Sequence, residues 1–314
     1  MKRRKFQCLI ALVLSVMMLV PALGINASAT AELDSSFQLY MVPNTHLDTA
    51  WQWPYQHTAD NYLRVMYKNQ LSALESNPDY KFTTSASAHY QWIKDYYNED
   101  NPIESQRYWE RLKTLIENGQ WDITGGQVVE PDLNIPNGEA LVRQSLYAQH
   151  FFEEEFGEEN VPTAGMVPDV FGFSGQMPQI LYKSGMPYFV TSKINWNETT
   201  GQGGSSDSYR SKNDANRGRD SDLLNWRAID GETSVLSYLL YNDYNNTDTA
   251  SAVQKIFDQN WQEGKETGVK RAMAFFGGGD MGQGLAGTGG DSYGYVDCRR
   301  RHCSRRQNEH CHRI

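Results

Sequence analysis

Hydrophobic periodicity constrains this chain most: apolar positions switch repeatedly between a strand-like run and a helical spacing of three to four. Residues 37–43 predict a buried strand, and 58–76 predict a helix with Leu63, Met66, Tyr67, Leu71 and Leu74 on one face. A strand is expected at 81–85, then helices over 89–97 and 105–118, the second stopped by Gly119. The alternation continues with a strand at 121–124, a helix over 138–156 closed by Gly157, a strand at 163–167 and a short helix over 176–184 ending at Gly185. Strands at 188–191, 233–240 and 271–276 follow, with a helix over 250–266 between the last two. This order predicts an α/β fold: a parallel sheet or barrel with helices outside. Residues 198–222, rich in Gly, Ser, Asn, Asp and Arg, are expected to form a long surface loop.

The two ends differ from this body. Lys2, Arg3, Arg4 and Lys5 precede an apolar run over 8–20, and Ala27-Ser28-Ala29 supplies small residues, the pattern of a secretory signal peptide cleaved after Ala29. The run falls short of the roughly 20 residues of a spanning helix, so a secreted chain without an integral membrane span is expected, an uncleaved anchor being the other reading. The net charge of −9 divides into +4 in the leader, +5 over 298–314 and about −18 over 30–297. A body that acidic repels phosphate backbones and argues against nucleic acid as a partner. Cys298, Cys303 and Cys311 share the last residues with His302, His310, His312 and six Arg. A zinc module is one reading, but C-x4-C-x7-C lacks a C-x2-C knuckle. The favoured expectation is an aberrant tail, from a frameshift or truncation, following a catalytic domain over 30–297.

Polar residues suited to chemistry fall where predicted strands end, the place where α/β folds gather active groups. These are His46 and Asp48 after the first strand, Glu130 and Asp132 after the third, Asp169 after the fourth and Asp280 after the last. In His46-Leu47-Asp48, alternate residues of an extended segment share a side, so both can reach one ion. An imidazole with carboxylates suits zinc, though other divalent ions could substitute and solvated loop residues are the plain alternative. Trp51 and Trp53 follow, as stacking faces for a sugar ring or as ordinary core. Asp169 reads as a site acid or a helix N-cap, Asp280 as a site acid or a turn residue, and Lys193 as a sugar contact or a solvated lysine.

Four segments in order, Asn44-Thr45-His46-Leu47-Asp48-Thr49-Ala50-Trp51, Gly125-Gly126-Gln127-Val128-Val129-Glu130-Pro131-Asp132, Pro168-Asp169-Val170-Phe171-Gly172 and Gly279-Asp280, resemble the motifs of the α-mannosidases of glycoside hydrolase family 38. The resemblance implies a (β/α)7-type barrel of parallel strands, truncated before the family's helical-bundle and β domains. It implies one zinc ion held by His46, Asp48 and Asp169, with a fourth ligand, a His, from sequence beyond this chain. Asp169 would also be the nucleophile of a retaining hydrolysis of mannose-containing glycans, with Asp280 the candidate acid/base. Trp51 would floor the sugar, with Asp132, Phe171 and Lys193 as further substrate contacts. Two other classes stay open: a metal-dependent carbohydrate deacetylase in which Asp169 is a base, and a carbohydrate-binding relic without turnover.

Overall fold

The computed structural model describes residues 37–100, 102–193, 223–240, 244–245 and 250–282. The leader, the polar loop expected over 198–222 and the Cys/His tail lie outside the described residues. Strands β1 to β8 are Gln38–Thr45, Phe82–Thr84, Trp121–Ile123, Ala164–Met166, Tyr188–Thr191, Leu223–Arg227, Ser234–Leu239 and Arg271–Gly278. Helices α1 to α7 are Tyr55–His57, Arg64–Ser76, Ser87–Asp100, Pro102–Glu117, Gly138–Phe156, Met177–Lys183 and Ala250–Thr267, and a π-helical stretch, Thr58–Leu63, joins α1 to α2. No described helix is long and apolar enough to cross a membrane.

The five apolar positions read on the first long helix, Leu63, Met66, Tyr67, Leu71 and Leu74, are all buried and pack with Tyr90, Ile93, Leu112 and Trp121. Each fully buried large side chain of this kind contributes roughly 1.5–3 kcal/mol. Asn137 caps α5, its side chain accepting from the Ala140 N–H, and Gly157 ends the helix as expected.

The strands form an α/β fold whose sheets are mostly parallel. One sheet has the order β3-β2-β1-β8, all parallel, with β1 and β8 paired from Gln38↔Arg271 to Thr45↔Gly278. The other has the order β4-β5-β7-β6. Two features go beyond the parallel order expected from the sequence. The hydrogen bonds divide the strands between two sheets, and β6, which the periodicity does not predict, pairs antiparallel with β7. Its half-buried residues, Leu224 and Trp226, share one side, and Trp226 packs against Phe173 and Phe189. Side chains of both sheets nevertheless meet in one cluster that includes Val42, Met166, Val190, Tyr238, Met273 and Phe275. The Gly125 N–H donates to the Ala164 carbonyl at 2.9 Å, and the Met273 N–H donates to the Tyr238 hydroxyl at 2.9 Å.

The β1–β8 pair positions the chemistry. Beyond the strands, the His46 N–H donates to the Gly278 carbonyl and the Asp48 N–H to the Asp280 carbonyl. Leu47 bridges Met281 between them. Buried Leu47 faces the core, so its neighbours His46 and Asp48 share the other side.

Candidate metal centre

His46 is 3% exposed and anchors the site. Its Nδ1 is 2.8 Å from Oε2 of Glu130, whose Oε1 accepts from the Ser85 hydroxyl at 2.5 Å. Its Nε2 lies 3.4 Å from Oδ1 of Asp48 and 3.9 Å from Oδ2 of Asp169. That nitrogen is buried and has no hydrogen-bond partner. One ligand atom each from His46, Asp169 and Asp280 lie within 4.8 Å of one another. A buried imidazole nitrogen without a partner, facing several carboxylates, fits a divalent cation.

Electrostatics agree with that fit. Burial alone lowers the His46 pKa, but the nearby carboxylates of Glu130, hydrogen-bonded to Nδ1, and of Asp48 outweigh it and hold the group well above 6.5. The site therefore favours a positive charge at this point, a proton on the ring or a metal ion in its place. Burial likewise raises the Asp169 carboxyl, opposed by Lys193, His46 and Tyr244.

The remaining residues converge from other strand ends. Lys193, 6% exposed after β5, places Nζ 2.8 Å from Oδ1 of Asp169 and lies over the rings of Phe171 and Tyr244. The Tyr244 hydroxyl donates to Oδ1 of Asp280 at 2.8 Å, and its ring packs edge-on against His46. Thr58, buried in the π-helical stretch, donates to the Asp48 carbonyl at 3.0 Å and accepts from the Trp53 indole at 2.7 Å. This ties the tryptophan loop to the site.

Several open alternatives close. Asp169 is no helix cap, because α6 starts at Met177 behind Gln176. Trp51 is not core: it is 59% exposed, as Phe171 is 56% exposed, whereas Trp53 is half-buried against Tyr62. Lys193 is not solvated, since it is spent on Asp169. Asp132 is exposed, and its Oδ1 accepts the N–H groups of Asn134 and Ile135, shaping its own turn.

Glu130 stands in the same motif as Asp132, and Pro131 separates them; which acid turns inward is visible only in three dimensions. Ser85 and Tyr244 escaped the sequence reading, for a serine and a tyrosine at strand ends carry no spacing signal of their own.

The profile of the glycosyl hydrolases family 38 N-terminal domain matches residues 36–299. This chain belongs to glycosyl hydrolase family 38. The family 38 chain is 37% identical to alpha-mannosidase G of Dictyostelium discoideum over 164 residues, which are 52% of this chain and 14% of that protein. It is 35% identical to human alpha-mannosidase 2C1 over 164 residues, 52% of this chain and 15% of that relative. The crystal structure of an alpha-mannosidase from Enterococcus faecalis V583 superposes with a TM-score of 0.57 at 18% identity, over 79% of this chain and 25% of the other, a likeness of fold. The matched part of this family 38 chain is thus a small share of its curated relatives' length.

Proposed function

We propose that this chain carries the catalytic half-site of a zinc-dependent, retaining α-mannosidase acting on mannose-containing glycans. The observation that carries it is the convergence of His46, Asp169 and Asp280 from three separate strand ends in a chain of family 38. His46, Asp48 and Asp169 would hold the zinc ion, which leaves Asp280 beside them for proton transfer. The ion, when bound, supplies a positive charge that orients and polarises hydroxyls of the sugar.

Asp169 attacks the anomeric carbon while Asp280 gives its proton to the departing glycosidic oxygen, so the aglycone leaves neutral and the sugar is esterified to Asp169. Asp280, now a carboxylate, takes a proton from water, whose oxygen displaces Asp169 and releases mannose with retained configuration. Two carboxyls about 5 Å apart suit a nucleophile and an acid rather than a water-bridged inverting pair, and the ligand atoms of Asp169 and Asp280 lie within 4.8 Å. The Tyr244 hydroxyl orients Asp280, and Lys193 neutralises Asp169. Trp51 and Phe171 are both exposed and offer aromatic faces to the sugar ring.

The fold that accompanies this function is a ring of seven parallel strands, β8-β1-β2-β3-β4-β5-β7, with β6 outside it. The bonds from Gly125 to Ala164 and from Met273 to Tyr238 support it, since they join the two sheets at both seams. The basic leader supports export of the chain, and the acidic body supports a glycan rather than a nucleic acid as partner.

The test is trapping with a fluorinated mannosyl fluoride followed by peptide mass spectrometry. A mannosyl adduct on the peptide containing Asp169 is expected. Turnover of an activated α-mannoside with the adduct on another residue would remove Asp169 from its role.

A further inference from the structure

Resting on that cation reading, we propose that Glu130, braced by Ser85, is a positioning residue that fixes the tautomer and angle of the His46 ring so that Nε2, and not Nδ1, meets the metal ion. Glu130 is acidic, follows β3 and lies 84 positions from His46 in sequence, yet its side chain is 7% exposed. Both carboxylate oxygens are engaged, one by each partner: Oε2 by His46 Nδ1 at 2.8 Å and Oε1 by the Ser85 hydroxyl at 2.5 Å.

The assignment follows from donor and acceptor inventory. A carboxylate only accepts, so the bond at 2.8 Å requires the proton on Nδ1. A neutral ring that keeps its proton there carries its lone pair on Nε2, the atom that has no hydrogen-bond partner and faces Asp48 and Asp169. With the proton on Nε2 instead, an N–H would point into the place where a cation must sit. Carboxylates that bind the far nitrogen of a ligating histidine in this way raise its basicity and orient it, and their loss typically lowers metal affinity by about 10–100-fold.

The surrounding backbone is shaped for the brace. Gly125, at φ +86°, lies so near Ser85 that a Cβ built on it would fall 2.7 Å from the serine Cβ. Glycine at that position lets the end of β3 close on Ser85, the residue that follows β2, which is how Ser85 comes within reach of Glu130.

The experiment uses the full chain, labelled with 15N-histidine and loaded with 113Cd, together with zinc titrations against a chromophoric chelator. Scalar coupling from cadmium to Nε2 of His46, with a slowly exchanging Nδ1 proton, is expected in the wild type. Glu130→Ala should bind zinc about 10–100-fold more weakly, lose the protected Nδ1 proton and keep its near-UV circular dichroism; Ser85→Ala should lose a few-fold. Coupling to Nδ1, or a folded Glu130→Ala that takes up zinc as tightly as the wild type, overturns the positioning role while leaving the metal centre standing. A wild type that binds neither metal removes the centre and this role together. If Glu130→Ala does not fold, the wild-type coupling pattern decides alone.

Discussion

The ammonium of Lys193 sits 2.8 Å from Oδ1 of Asp169 with almost no exposure to water. The other oxygen of the same carboxylate faces His46, so the two oxygens have different tasks. Replacement by methionine keeps the bulk and removes the charge. Lys193→Met should cost about 3–5 kcal/mol at pH 7, because a largely buried carboxylate loses its counter-charge. The lysine opposes the rise that burial causes in the Asp169 pKa, so without it the carboxyl protonates more readily. The stability gap should therefore narrow when denaturant unfolding is repeated near pH 4.5, and an unchanged gap would contradict the pairing.

Zinc uptake should release protons. Burial lowers the His46 pKa, but Glu130 and Asp48 outweigh it, so the metal-free ring holds its second proton more tightly than a free imidazole does. A cation on Nε2 displaces that proton. Calorimetric titration in buffers of different ionisation enthalpy should report net proton release at pH 7. The release should fall toward zero, and affinity should level off, as pH rises through the raised pKa. Uptake without proton release would place the ion elsewhere.

His89 predicts an acid limit to stability. Burial, with the charge of His46 second, lowers its pKa to about 3, and its Nε2 is 3.1 Å from the Thr49 hydroxyl. The unfolded chain protonates this residue near pH 6.5 and the folded chain near 3. Between those values the unfolded state binds the extra proton, so its contribution to stability is intact above 6.5 and falls by about 1.4 kcal/mol per pH unit below it. At pH 5 the loss is roughly 2 kcal/mol. Urea unfolding at pH 7 and 5 should show that His89→Gln, which cannot titrate, lacks this part of the decline.

What could be read without coordinates was what the chain states locally. The burial stripe from Leu63 to Leu74, the stops at Gly119, Gly157 and Gly185, and the polar residues at strand ends follow from spacing and backbone preference. Strand β6 was invisible because only Leu224 and Trp226 of this short edge are half-buried, and its pairing with β7 and the packing of Trp226 on Phe173 and Phe189 join residues distant in sequence. The partnerships of Glu130 with His46 and of Tyr244 with Asp280 join residues 84 and 36 positions apart, and no local pattern encodes them. Lys193 illustrates the same limit: a lysine after a strand is ordinarily solvated, and only the position of Asp169 makes its burial favourable.

Gly277 should tolerate no side chain. It lies in β8 opposite Asn44 with φ +148°, and a Cβ built there falls 1.8 Å from the Asn44 carbonyl oxygen. That contact is backbone on both sides, in the ladder that carries His46 and Asp280 to their positions, so relief requires the strands to part. Gly277→Ala should destabilise the chain by more than about 4 kcal/mol or prevent folding. Gly231→Ala is the control, because its φ is also positive but nothing lies within 4 Å of the added carbon; it should cost only about 1 kcal/mol.

Trp51 separates substrate stacking from stability. Its ring is 59% exposed and meets Trp53 edge-on at 5.8 Å, so truncation opens no cavity. Trp51→Ala should shift unfolding free energy by no more than about 0.5 kcal/mol. If the open face carries the sugar, the same substitution should lower kcat/KM for an activated α-mannoside at least tenfold, equivalent to about 1.4 kcal/mol of transition-state binding. Trp51→Phe retains an aromatic face and should recover most of that loss. Equal kinetics in all three proteins would place the sugar away from this residue, whereas a parallel fall in stability and activity would make Trp51 structural.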